Sequence, residues 1–269
     1  MKRLIALLLA FAMVFGLAGC EKEEVEVLVG MAVPIIVAMM EEDWEEYPED
    51  SWEEYPEENL PEEVSREILH EPFSLDTVPR FAGQAYVAVN GNVPYFQPQD
   101  MTTEGFEYYS PLDELGRCGV TVACVGLEVM PTEDRGEIGS VKPTGWQSVK
   151  YANVDGRYLY NRCHLIGFQL TGENVNRGNL ITGTRYLNIE GMLPFENMVA
   201  DFVKETAMHV MYRVTPVFVG QELVARGVLM EGWSVEDQGE SICFCVYAYN
   251  VQPGIIIDYT TGESRLAEE

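Results

Sequence analysis

Residues 158–201, YLYNRCHLIGFQLTGENVNRGNLITGTRYLNIEGMLPFENMVAD, constrain the fold more than any other stretch of the chain. Tyr158, Leu159 and Tyr160 run extended into His164, and the Gly/Asn-rich TGENVNRG then turns the chain. Residues 180–184 read as a returning strand, and residues 195–206 carry apolar side chains at helical spacing. Strand, turn, strand and helix in this order place a histidine at the end of one strand facing an asparagine at the start of the following helix. An imidazole can take a proton from water and an amide oxygen can hold a hard cation. That pairing suits metal-assisted hydrolysis of a phosphodiester.

The signature Asn161-Arg162-Cys163-His164, the downstream GNLITGTRYLN and the glutamate eight positions past Asn188 resemble the ββα-metal (His-Me finger) DNA/RNA non-specific endonucleases. The likeness is to the surface DNA-entry type of Gram-positive bacteria in particular, and it runs from Phe81 to the C-terminus. That family carries Asp-Arg-Gly-His, so Asn161 stands here for Asp and Cys163 for Gly. The resemblance implies a Mg²⁺ or Mn²⁺ ion on Asn188 and His164 as general base. It also implies Glu196 behind the metal site, Arg162 and Arg185 in catalysis and substrate binding, and Asn179 at the loop or at a phosphate. Gly191 and Pro194 lie between Asn188 and Glu196 and interrupt a continuous helix there. The activity implied is cleavage of DNA and RNA with little sequence preference. The alternative is a catalytically weak nuclease fold kept for nucleic-acid capture or adhesion at the cell surface.

Cys163, next to the base, raises a second chemistry, a Cys–His thiol hydrolase. Neighbouring residues on a strand point to opposite faces, so this thiol should look away from His164. His70 and His209 have no comparable setting and read as structural.

The remaining residues from Ser74 onward suffice for one domain with a real core. AYVAVNG with a hairpin-like Asn90-Gly91, VTVACVGLEVM, HVMYRVTPVFVG, ELVARGVLMEGWSVED, SICFCVYAYNV and GIIIDYTTG read as strands. FEYYSPLDELGRCG reads as irregular, and the Gly/Pro/Thr-rich residues 131–150 as a loop crossing the surface. The expected fold class is α+β, a central, mostly antiparallel sheet with the ββα unit packed against it.

The start of the chain obeys other rules. Lys2 and Arg3, an apolar run over residues 4–17 and Leu17-Ala18-Gly19-Cys20 describe a secretory signal that looks like a bacterial lipobox. It implies removal of residues 1–19 and lipid on Cys20, which anchors the protein to the outer side of the bacterial cell membrane without a spanning helix. The apolar run over residues 27–40, broken by Gly30 and Pro34, falls short of the ~20 residues a span needs. Residues 20–73 otherwise read as a disordered acidic stalk with WEEYPE repeated at Trp44 and Trp52, leaving residues 74–269 as the nuclease domain.

Charge divides along the same line. Residues 21–73 hold 19 acidic against 2 basic side chains, while residues 74–269 hold 25 against 13, of a total net charge of −27. An acidic domain excludes a broad basic face for nucleic acid, yet Arg157, Arg162, Arg177 and Arg185 crowd the central stretch as a local phosphate site requires. With Cys20 lipidated, five cysteines remain. The absence of C-x-x-C spacing argues against a structural zinc, Cys243 and Cys245 share one side of a strand, and Cys118 with Cys124 is a candidate disulfide.

Overall fold

The three longest strands, β6 (Val210–Val217), β7 (Gly227–Ser234) and β8 (Cys243–Tyr249), carry the alternation most clearly, and they form the middle of the molecule. The computed structural model describes residues 73–268, so the signal segment, Cys20 and the acidic stalk up to residue 72 lie outside the described residues. Strands β1 (Tyr86–Ala88), β2 (Phe106–Tyr109) and β3 (Thr121–Val125) complete a six-stranded sheet in the order β1-β8-β7-β6-β3-β2. All five pairings are antiparallel. The fold is α+β, as the sequence leads one to expect.

One face of this sheet buries Val210, Tyr212, Val214, Val228, Met230, Phe244 and Val246. Against it pack β4 (Tyr160–His164), the short helix α1 (Phe168–Thr171), β5 (Leu180–Thr184) and α2 (Leu193–Thr206), through Leu165, Leu170, Ile181, Phe195, Val199 and Val203. A buried Asn250 stitches this layer to the sheet. Its Oδ1 accepts from Thr184 N at 2.8 Å, and its Nδ2 donates to Thr182 O at 3.0 Å and Ala225 O at 2.9 Å. A hairpin of β9 (Ile255–Ile257) and β10 (Ser264–Leu266) closes the far side of β4, where Tyr160 donates to Gly262 O at 2.9 Å.

The opposite face is covered by the first stretch of described chain. Phe73 stacks on Tyr247 at 5.9 Å, Phe81 meets Tyr249 edge-on at 5.6 Å, and the Phe96 ring lies 4.6 Å from the Arg213 guanidinium. Phe73, which the sequence reading assigns to the stalk, is therefore packed on the domain. Beneath this cover Arg213 and Glu231, opposite each other on β6 and β7, are both 0% exposed and paired through two bonds of 2.6 and 2.8 Å.

Four expectations need correction. FEYY is strand β2, not irregular chain, because its aromatic residues have the high strand propensity that pairs them with β3. Asn90-Gly91 does turn, as a 3₁₀ turn over Asn90–Asn92 with positive φ at all three residues, but it joins no hairpin, since β1 pairs with β8. Cys118 and Cys124 are not bonded to each other: the first donates to the Arg177 and Leu180 carbonyls and the second to that of Thr102. Gly191 and Pro194 do not break the chain out of helix. A π-helical segment, Leu187–Met192, contains Gly191 and passes directly into α2, with Pro194 just past the junction.

His209 proves structural in a specific sense. Its Nδ1 lies 2.6 Å from Glu236 and its Nε2 3.1 Å from Glu128, so it ties the start of β6 to the chain just beyond β3 and β7.

Breaking the buried pair should be costly. Glu231→Ala strands the Arg213 charge away from water, and unfolding free energy is expected to fall by about 3–5 kcal/mol. Replacing both residues by apolar ones of similar volume should recover most of it. Chemical denaturation of the three proteins checks this, and a loss under about 1 kcal/mol for Glu231→Ala would contradict it.

Candidate active site

β4 and β5 pair with His164 opposite Leu180 and Cys163 opposite Ile181. Strand alternation then sends Arg162 and His164 to one side and Cys163 to the other. The His164 ring is 5% exposed, and its Nε2 is 3.0 Å from the carbonyl oxygen of Asn174. A carbonyl can only accept, so Nε2 carries the ring proton and donates it there. The lone pair is therefore on Nδ1, which accepts a hydrogen bond from Arg135 Nη2 at 3.3 Å. Burial lowers the His164 pKa to about 4; the Asn174 carbonyl works against that shift and the Arg135 charge adds to it. At neutral pH this is an uncharged imidazole with a defined basic atom.

On the other side of β4, the Cys163 thiol donates to Asn188 Oδ1 at 3.1 Å. Asn188 is the second residue of the π-helical segment and is half-buried. Cys163 itself is fully buried, which pushes its thiol well above the ordinary value. A protonated thiol turned toward Asn188 is no nucleophile, so the thiol-hydrolase chemistry has no support here.

Glu196 lies in the first turn of α2, is 7% exposed, and accepts from Gln169 Nε2 at 3.2 Å. The chain at Gly167 crosses so closely that a Cβ there would come within 2.8 Å of the Glu196 carboxyl carbon. Burial raises the Glu196 pKa to about 7, opposed by the Gln169 hydrogen bond and by the Arg135 charge. The field of one guanidinium, that of Arg135, thus reaches His164, Cys163 and Glu196 together.

Arg135 is the residue at His164 that sequence reasoning did not single out. It sits on the Gly/Pro/Thr-rich loop, and nothing in its spacing from His164 marks it. Only the folded loop brings the two together. Arg162 explains how the loop is held: it donates to Val141 O and, at 2.6 Å, to Gly139 O, and its guanidinium stacks 4.3 Å from the Trp146 ring.

The other expected substrate contacts are engaged elsewhere. Asn179 is 0% exposed, with Oδ1 on Ile166 N at 2.8 Å and Nδ2 on Ile166 O at 3.0 Å, so its amide braces the loop. Arg185 makes two bonds, of 3.1 and 2.8 Å, to Asp155 on the surface. The structure sets His164 beside Arg135 and Asn174 on one side of β4 and Cys163 against Asn188 on the other, places Glu196 on Gln169, and uses Arg162, Asn179 and Arg185 as braces.

Among the described residues no group of three His, Cys, Asp or Glu side chains is placed to cage a metal ion. The donors at hand are the Asn188 amide oxygen and a carboxylate, Glu196, held at a burial cost that a nearby cation would offset. That set fits a hard cation keeping most of its water, such as Mg²⁺, and does not fit a soft-metal cage.

Comparison with known proteins identifies the family and the fold. The model of the DNA/RNA non-specific endonuclease family matches residues 98–235, more than half of the chain. NucA from Streptococcus agalactiae with a magnesium ion bound superposes with a TM-score of 0.60 at 24% identity, covering 67% of this chain and 86% of that one. Its metal-free form gives 0.62 at 22% identity, over 72% and 92%. The Sda1 nuclease with a bound zinc ion gives 0.55 at 25% identity, over 69% and 97%. With the expected histidine, asparagine and glutamate on a β-strand pair and the helical segment that follows it, the chain belongs to the DNA/RNA non-specific endonuclease family and is a hydrolytic nuclease.

Proposed function

We propose that this nuclease is an extracytoplasmic, lipid-anchored, Mg²⁺-dependent enzyme that cuts DNA and RNA with little sequence preference. The observation that carries the reading is the neutral imidazole of His164, whose protonated Nε2 is fixed on a carbonyl and whose basic Nδ1 faces a guanidinium. When Arg135 turns from it to a substrate phosphate, Nδ1 accepts the proton of the water that attacks phosphorus, and the Asn174 carbonyl steadies the imidazolium that results. In the free protein the Arg135 charge depresses this base. A substrate phosphate beside Arg135 neutralises that charge, so His164 becomes more basic when substrate is bound. Arg135 also stabilises the negative charge that grows on the phosphoryl oxygens. Asn188 Oδ1 would hold the cation, which when bound supplies neutralisation of the phosphate and the leaving oxygen. Glu196 in its ionised form accepts hydrogen bonds from waters of the site. Arg162 keeps Arg135 in place through the loop, and Asn179 and Arg185 act as positioning residues. A complete base favours hydrolysis over mere capture of nucleic acid.

Anchoring rests on the Leu17-Ala18-Gly19-Cys20 motif. Cys20→Ala is expected to shift the protein out of the membrane fraction or to leave its signal uncleaved; fractionation and migration like the parent would rule out the anchor.

His164→Ala should slow plasmid cleavage by ~10²–10⁴-fold, with a melting temperature still above that of the assay. Added imidazole should restore part of the rate. A folded variant cutting at the parental rate overturns the mechanism.

Glu196 gives a pH test with a definite sign. Its pKa rises on folding from 4.5 to about 7, so between these values the folded chain holds a proton the unfolded chain has released. Stability therefore falls as pH climbs through that window. His164, lowered from 6.5 to about 4, acts in the opposite direction over an overlapping window, so the parent alone shows little net slope. The difference between Glu196→Gln and the parent isolates the glutamate. Without divalent cations the variant should be more stable at pH 8 by roughly 3 kcal/mol and no more stable at pH 4, while cutting more slowly. Equal stability at both pH values would show that the carboxylate carries no burial penalty.

A further inference from the structure

Cys163, a departure from the family signature, touches Asn188, and the mechanism above leaves it unused. It is 1% exposed, and its single S–H hydrogen has two acceptors in reach, Asn188 Oδ1 at 3.1 Å and Met192 Sδ at 3.4 Å. The amide oxygen is the closer and the stronger acceptor. Room for this side chain is made across the strand pair. A Cβ at Gly183 would lie 2.6 Å from Cys163 Cβ and 3.1 Å from Sγ, so a side chain at 163 requires a glycine at 183. The pair is a matched set, not a stray substitution. A glycine at 163, as in the resembling family, would offer Asn188 no side-chain donor.

We infer that Cys163 is a positioning residue for cation binding: its thiol fixes the oxygen end of the Asn188 amide and so presents a hard donor to the metal. An amide has two ends of nearly equal size, and only the carbonyl end can ligate a cation. Its oxygen has two acceptor positions. The thiol occupies one, which makes the flipped amide unfavourable because S–H would then face N–H, and it leaves the second position for the cation. No thiolate and no sulfur–metal bond is involved. The inference rests on the reading that Asn188 holds the cation, and the test separates the two.

Mn²⁺ binding to the whole protein, without nucleic acid, is measured by electron paramagnetic resonance for the parent, Cys163→Ala, Cys163→Ser and Asn188→Ala. Loss of one hydrogen bond of this strength corresponds to an affinity lower by about three- to tenfold. Cys163→Ala should show that loss, Cys163→Ser, which retains a donor, should stay close to the parent, and Asn188→Ala should bind no Mn²⁺. In cleavage assays Cys163→Ala should raise the Mg²⁺ concentration for half-maximal rate by a similar factor and leave the rate at saturating Mg²⁺ nearly unchanged. Parental Mn²⁺ affinity in Cys163→Ala, with binding abolished in Asn188→Ala, overturns the inference alone. Parental affinity in Asn188→Ala overturns the metal assignment beneath it. Should the alanine variant not fold, the infrared S–H stretch of the parent serves instead. That band should shift when Mg²⁺ is added, and a band indifferent to Mg²⁺ overturns the inference.

Discussion

Two charges buried from water between neighbouring strands set the terms for the rest of the domain. Arg213 and Glu231 face each other with no exposed surface, and such a pair is tolerable only with its hydrogen bonds made and water excluded. Its geometry fixes the register of β6 on β7, since a slip of β6 by one residue would turn Arg213 onto the apolar face that receives the ββα layer and leave Glu231 unpaired on the other. The pair also needs a lid. Tyr95 N donates to Glu231 Oε1 at 2.7 Å and Phe96 lies over Arg213, so the chain before β2 is tied to the sheet by the need to finish the pair. One side of the sheet thus carries a polar interaction that specifies register, and the other is left mostly apolar under the site, with the Tyr212 hydroxyl buried on it.

That largely apolar face is what allows a strand pair of only five residues each to hold His164 and Cys163 in place. β4 and β5 make no pairing with the six-stranded sheet. They are positioned by packing, by Asn250 and by the hairpin of β9 and β10. The π-helical segment then matters for reach. A wide turn at Leu187–Met192, closed by Leu193 N on Asn188 O, carries both Asn188 and the helix that supplies Glu196. Insertion of such a turn changes the angular relation of residues on either side of it, and eight residues of ordinary α-helix would not give the same one. Arg162 adds a third link by pinning the loop that brings Arg135 across to His164.

What was legible in the sequence follows from how local its cause is. The strands β6, β7 and β8, the helix and the His164–Asn188–Glu196 spacing are written in short-range pattern, and they read correctly as secondary structure and as the family signature. Strand β2 was obscured because its four aromatic-rich residues run straight into Pro111 and a Gly-containing turn. The hairpin-like Asn90-Gly91 misled for the converse reason: the turn is real, but strand partners are chosen by the whole sheet. Arg135, Asn250 and the role of Arg162 depend on contacts between residues 21 to 68 positions apart, and no local signal encodes them. Cys163 stood out only as a mismatch to a signature. What it touches became visible once Gly183 and Asn188 were placed around it.

The electrostatics of the site resolve the conflict between an acidic chain and a polyanionic substrate. The same burial pushes His164 down to about 4 and Glu196 up to about 7. At neutral pH the base is therefore uncharged and the carboxylate is near the midpoint of its titration, although the domain around them is strongly negative. Arg135 brings a full positive charge to His164, beside the atom that accepts the proton in the proposed mechanism. A phosphate entering there meets little local repulsion and one directed cation. On the proposed mechanism its arrival offsets the Arg135 contribution to the low basicity of His164, while burial, the larger cause, stays in place. The acidic surface is then no obstacle to turnover. It limits long-range attraction of nucleic acid and with it the affinity for cleaved product, while the chemistry depends on charges within a few ångströms of Nδ1.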